Sequence, residues 1–186
     1  MKYFVLLVAT LLILTLSACQ AREDAPLPGD VAGFATPESV RYDAEADIYL
    51  VSNINGAGAA EDDNGFISRV APDGEVLELK WIDGADNEVV LDAPKGMVVV
   101  GDTLYVADIN DIRLFERESG VPIASVSVPG AAFLNDVAAA PDGTVYITDT
   151  GGNAIYSMSA DNTLDTVVAS DDLTNPNGVT VLPSGE

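Results

Sequence analysis

Four stretches of the chain start alike, and their spacing constrains the fold more than any other feature. Pro37-Glu38-Ser39-Val40, Pro94-Lys95-Gly96-Met97, Leu134-Asn135-Asp136-Val137 and Pro176-Asn177-Gly178-Val179 set their second residues 57, 40 and 42 positions apart. The last interval is the clearest, because Asn135 and Asn177, Pro141 and Pro183, and Gly143 and Gly185 all match at an offset of 42. A polar insert, GAGAAEDDNG at 56–65, and an acidic connection, WIDGADNEVVLDAPKG at 81–96, account for the longer first interval. Self-similarity at about 20 to 50 residues marks a repeat architecture, in which each unit buries its apolar face only against its neighbours.

Each start leads into a short strand, a turn, and a second strand that ends on a polar residue. The turns are Asp43 to Asp47, Gly101-Asp102 and Pro141-Asp142-Gly143; the second strands are LVSN (50–53), YVAD (105–108) and YITD (146–149). Third strands follow as FISRV (66–70), IRLF (112–115) and AIYSM (154–158), and fourth strands as EVLEL, PIASVSV and DTVVA. β-Branched and aromatic runs punctuated by Gly, Pro, Asp and Asn are strand and hairpin signals, and no window carries a helical stripe. Four strands per unit of about 40 residues is the pattern of a propeller blade. A sandwich would show turn signals too, but not polar landmarks repeated in register.

The expected fold is therefore all-β: a β-propeller of four-stranded blades over residues 36–186, with blades starting near 37, 94, 134 and 176. Propeller rings hold about four to eight blades. NPNGVTVLPSGE (175–186) is expected to be the innermost strand of a fourth blade, broken off at its hairpin turn. A lone inner strand leaves a row of unpaired backbone groups. The chain is accordingly expected to be a C-terminally truncated fragment of about three and a quarter blades. The competing arrangement pairs two chains to complete one ring.

Ahead of the repeats, Lys2 and the apolar run Tyr3 to Leu16 read as an export signal over residues 1–18, too short to span a bilayer comfortably. Leu16-Ser17-Ala18-Cys19 resembles the lipobox of bacterial lipoproteins, in which the cysteine is lipidated and becomes the mature N-terminus. Cys19 is the only cysteine, so it has no disulfide partner; its alternative use is as a structural thiol. Several acyl chains on one residue anchor stably. Gln20 after the cysteine resembles the Gram-negative sorting pattern for the outer membrane, with the protein facing the periplasm or the cell surface. Residues 19–35, rich in Pro, Ala and Gly, form the lipidated end and its tether.

The net charge of −22 excludes nucleic acid as a partner, since phosphates need a basic surface. The chain has no histidine, which removes Ser-His-Asp and Cys-His catalysis and histidine-based zinc sites. Carboxylates, amides, hydroxyls, Lys and Arg remain, with a hard cation such as Ca²⁺ as the natural metal.

In a propeller the innermost strands line the central channel. Glu38, Lys95, Asn135 and Asn177 should therefore converge near one mouth of the axis, where a metal or polar ligand can be held. Here the chain resembles the senescence-marker, gluconolactonase and regucalcin-like family of six-bladed propellers. The resemblance spans about 150 residues from Ala35 and rests on Pro37-Glu38, on Asn135-Asp136 with PDGTVYITDT, and on Asn177-Gly178. It implies an axial divalent cation, expected to be Ca²⁺, with Glu38 and Asn177 as ligands and Asn135 as a ligand or substrate contact. It also implies hydrolysis of a lactone or related ester, with a further ligand aspartate from a later blade that the chain does not contain. Two positions depart from the family: Lys95 puts a positive charge in the column beside the substrate, and Phe133 stands where an arginine is usual. The bland alternative pairs Glu38 with Lys95 and leaves Asn135 and Asn177 bonded to blade backbone.

A second polar column, Asn53, Asp108 and Asp149, ends the second strands and reads as structural. DTGGNAIYSM resembles the NHL type of propeller repeat, which implies the alternative function of a non-catalytic scaffold binding a protein or polymer. The insert GAGAAEDDNG lacks the alternating spacing of a calcium loop, and Trp81 is expected to pack between blades.

Overall fold

The computed structural model describes residues 33–86, 88–182 and 184. The export signal, Cys19 and most of the tether lie outside the described residues, as do Pro183 and Gly185. Twelve strands form three antiparallel sheets of four, each ordered as in the sequence. Blade 1 is β1 (Pro37–Asp43), β2 (Ile48–Asn53), β3 (Phe66–Val70) and β4 (Val76–Asp83). Blade 2 is β5 (Pro94–Val100), β6 (Thr103–Asp108), β7 (Asp111–Glu116) and β8 (Pro122–Ser127). Blade 3 is β9 (Leu134–Ala139), β10 (Val145–Asp149), β11 (Ala154–Met158) and β12 (Leu164–Ala169). The first strands lie together, β1 against β5 and β5 against β9, as the inner strands of a propeller do.

Turn chemistry sets the hairpins. Ala71-Pro72-Asp73-Gly74 and Ala140-Pro141-Asp142-Gly143 close in the same way, the glycine amide donating to the alanine carbonyl at 2.9 Å in both. Gly74 and Gly143 sit at φ of 90° and 89°, which an L side chain rarely adopts.

Two sequence expectations need correction. The acidic connection begins later than Trp81, because Ile82 and Asp83 pair with Ile67 and Phe66 and extend β4 through Trp81. The fourth start, from Pro176, follows β9 but carries no sheet ladder among the described residues. An inner strand takes its ladder from the second strand of its own blade, and that partner is not among the described residues. Side-chain bonds to main chain hold the segment instead: the Val179 amide donates to Asp136 at 2.9 Å, and Thr150 donates to the Pro176 carbonyl at 2.6 Å.

Two apolar cores separate the blades. Alternation along the strands sends Met97, Leu104, Val106 and Phe115 of blade 2 toward Leu50, Ile67 and Ile82 of blade 1, and sends Val98, Tyr105 and Leu114 toward Leu134, Val137 and Ile147 of blade 3. Blade 2 is thus buried on both faces, each large side chain contributing on the order of 2 kcal/mol. Trp81 packs at the blade 1 and 2 boundary, near Gly120, with Arg69 lying 4.7 Å over its ring.

One ion pair clamps the same boundary. Arg117, after β7, donates from two nitrogens to the two carboxylate oxygens of Asp43, at the end of β1, at 2.7 Å each, and also meets Glu45. Burial pushes the Asp43 carboxyl up, but hydrogen bonds from Arg117 and from the Ala46 and Glu45 amides outweigh it, so the group stays below its ordinary range. A depressed carboxylate stabilises the fold above its unfolded value, and that contribution disappears as pH falls through the folded value. Arg117→Met should cost about 3–5 kcal/mol in urea unfolding, because it leaves a buried charge unpaired. The difference between wild type and Arg117→Met should shrink as pH falls below the ordinary aspartate range, through the depressed folded value of Asp43.

Candidate functional site

The hub residues are delivered by a device repeated in all three blades. The first residue of each inner strand pairs with the last residue of the second strand: Pro37 with Asn53, Pro94 with Asp108, Leu134 with Asp149. The next pairs are Ser39 with Ser52, Met97 with Val106, and Val137 with Ile147. Each inner strand therefore carries one extra residue at its second or third position. Such bulges re-aim side chains out of the pleat, and here they fall on Glu38, on Lys95-Gly96 and on Asn135-Asp136.

The second polar column holds the bulges in place, as its structural reading expected. Asn53, Asp108 and Asp149 are fully buried. Asn53 accepts the Ala35 amide at 3.0 Å. Asp108 accepts the Asp92 and Ala93 amides at 3.1 and 2.7 Å and is paired with Arg113 at 2.9 Å. Asp149 accepts the Ala132, Phe133 and Gly152 amides at 3.0, 2.8 and 2.9 Å. In every blade the acceptor captures the chain two or three residues before the hub residue. In blades 1 and 3 the preceding hydroxyl adds a bond to the bulge, from the Ser39 amide to Ser52 and from the Asp136 amide to Thr148, at 3.0 Å each.

The four column residues meet different surroundings. Glu38 is exposed as a residue, yet its carboxyl is pushed above the ordinary range, first by loss of water around it and then by Asp136, with Lys95 opposing. Lys95 is 1% exposed, its ammonium donating to the Ala93 carbonyl at 2.8 Å and lying 4.4 Å over the Phe133 ring. Burial holds that ammonium below the ordinary lysine range, while Asp108 and Glu38 work against the shift. No ion pair joins Glu38 to Lys95. Asn135 is 6% exposed, yet among the described residues its amide has no hydrogen-bond partner. Asn177 is exposed and engages only through its main-chain oxygen, which accepts from Thr148. The bland alternative therefore does not describe these side chains: Glu38, Asn135 and Asn177 all keep their oxygens free of protein donors.

Asp136 is the residue that sequence reasoning missed, having entered it only as part of an Asn-Asp start. Its carboxylate accepts the Val179 amide and its own strand's Val137 amide, at 2.9 and 2.8 Å. It fills the space left by Gly96, where a Cβ would stand 2.2 Å from Asp136 Oδ1. The only advance signal was the alternation Gly96, Asp136, Gly178 at one register position.

No protein-family model and no curated protein matches the chain. Solved structures do. Virginiamycin B lyase from Staphylococcus aureus is 17% identical, over 78% of this chain and 45% of the lyase, at a TM-score of 0.57. A gluconolactonase from Xanthomonas campestris is 16% identical, over 74% and 48% of the two chains, at 0.54. A structural-genomics protein of gluconolactonase type is 19% identical, over 82% and 55%, at 0.61. The fold is that of the gluconolactonase-like propellers. The chain spans about half the length of the solved structures it matches.

Removing a brace should loosen the hub. Asp149→Ala strands three amides and should cost about 3 kcal/mol or more in urea unfolding, at roughly 1–3 kcal/mol for each buried donor left without a partner.

Proposed function

We propose that the hub mouth holds a divalent cation, Ca²⁺ above all, and that the protein hydrolyses a lactone or related ester there. The observation that carries this reading is the set of hub oxygens without protein donors, on Glu38, Asn135 and Asn177, in a structure whose neighbouring polar column is fully bonded. Among the described residues no cluster of three or more acidic side chains could hold a metal. The donor set is instead one carboxylate with two amide oxygens, which suits Ca²⁺ because that ion accepts mixed oxygen ligands and irregular geometry. Asn135 fits the role best, being an almost fully buried amide with no other partner.

A cation bound there would polarise the lactone carbonyl and acidify a water. Glu38 supplies the negative charge that retains it. Asn135, held by the bulge that Asp149 and Thr148 brace, orients an amide toward the channel. Asp136 keeps Asn177 beside β9 through the Val179 amide. We further propose that Cys19 is lipidated and that the exported protein is held at the outer membrane.

Millimolar Ca²⁺ should raise the Tm of the full-length protein. Glu38→Gln should abolish that rise while leaving the Tm without metal unchanged. An unaltered wild-type Tm would overturn the metal site and favour a scaffold of the NHL kind. For the anchor, Cys19→Ser should eliminate labelling by a radioactive fatty acid and move the protein from the membrane to the soluble periplasmic fraction.

A further inference from the structure

The described part of the chain has six cationic side chains, and each is engaged within the protein. Arg117 is bound to Asp43 and Glu45, Arg113 to Asp108, Asp92 and Asp111, and Lys80 to Asp83. Arg41 donates to the Met97 carbonyl at 2.8 Å, and Arg69 lies on Trp81. That leaves Lys95, the one cation of the hub column, which is 1% exposed between the Ala93 carbonyl and the Phe133 ring. A substrate carboxylate arriving at this mouth would find no exposed cation to receive it. Beside the metal it would meet the carboxylates of Glu38 and Asp136, with no exposed side-chain cation to offset them. In a chain of net charge −22, that field opposes anionic ligands at long range as well.

Phe133 offers the opposite chemistry. Its backbone is fixed at both ends, the amide on Asp149 at 2.8 Å and the carbonyl accepting the Thr150 amide at 2.9 Å. Its ring lies over Lys95 and also reaches the blade 1 insert, where a Cβ on Gly58 would sit 3.4 Å from the ring tip. One partly exposed aromatic side chain therefore joins all three blades at the channel mouth, two residues before Asn135.

We propose that this mouth selects uncharged substrates with an apolar body, a neutral alkyl-substituted lactone or ester rather than a lactone bearing a free carboxylate, and that Phe133 is the specificity-determining residue. This rests on the lactone-hydrolase reading above. Sealing the single hub cation removes the group that would bind an acid, and the sealing ring provides an apolar wall.

The test uses the full-length protein with Ca²⁺ and two δ-lactones, one bearing an uncharged alkyl chain and one a carboxylate. Wild type should favour the alkyl lactone by at least tenfold in kcat/KM. Phe133→Leu, which keeps an apolar wall but uncovers Lys95, should narrow that ratio severalfold by admitting the carboxylate. Phe133→Arg should reverse it. Equal or better turnover of the charged lactone by wild type, or a ratio unmoved by both variants, overturns the proposal. If neither lactone is hydrolysed, the hydrolase reading has failed, and calorimetric binding of the same two lactones decides selectivity. Binding of the alkyl lactone alone, lost in Phe133→Arg, sustains it; binding of neither, or of both alike, overturns it.

Discussion

The hub exists because one buried polar side chain per blade captures backbone amides of the chain entering that blade. A propeller needs its inner strands to start at matching heights around an axis, although each is reached through a loop of different length. A carboxylate or amide at the end of the second strand solves this locally, because its strand already fixes its height. The three versions differ in how they satisfy the same requirement. Asn53 is neutral and uses its amide nitrogen on Val51 and Ser68. Asp108 shares its charge with Arg113, and Asp149 has three backbone donors and no cation. Buried charge needs such compensation wherever it occurs. The bulge on each inner strand then re-aims the hub residue out of the pleat.

Scarcity of positive charge shapes the rest. With 8 basic residues against 30 acidic ones, each described cation is drawn into the interior, onto a ring, onto a backbone carbonyl or onto a nearby carboxylate. Arg117 ties the first two blades together at one end of the strands, while Lys95, Glu38 and Asp136 place mixed charge at the other end. An interior rich in acceptors and poor in donors leaves oxygens exposed to the channel. Those oxygens, more than any arrangement of carboxylates, are what the proposed cation site rests on.

The strands were legible in the sequence because their signals are local. FISRV and AIYSM become β3 and β11 with no change of boundary, and the Pro-Asp-Gly turns close as their chemistry dictates. The bracing role of Asn53, Asp108 and Asp149 was legible for the same reason: each acts within its own blade. The interlock of Asp136 with Gly96 was not, because those residues are 40 positions apart and meet only once β5 and β9 lie side by side. The burial of Lys95 under Phe133 was hidden likewise, since a lysine in a polar column gives no sign that an aromatic ring from the next blade will close over it. The end of β4 was misjudged because an acidic, tryptophan-led stretch looks like a loop until its pairing with β3 is seen.

The contact between Gly96 and Asp136 also limits how the repeat could have multiplied. A carboxylate on one inner strand occupies the room that a missing side chain leaves on the strand before it, and it reaches forward to a further glycine, Gly178. A second copy of blade 3 set in the place of blade 2 would bring two acids to the same spot at the axis. Though built to one plan, these units are keyed to their positions: the acid of blade 3 fits beside blade 2 only because blade 2 carries a glycine there.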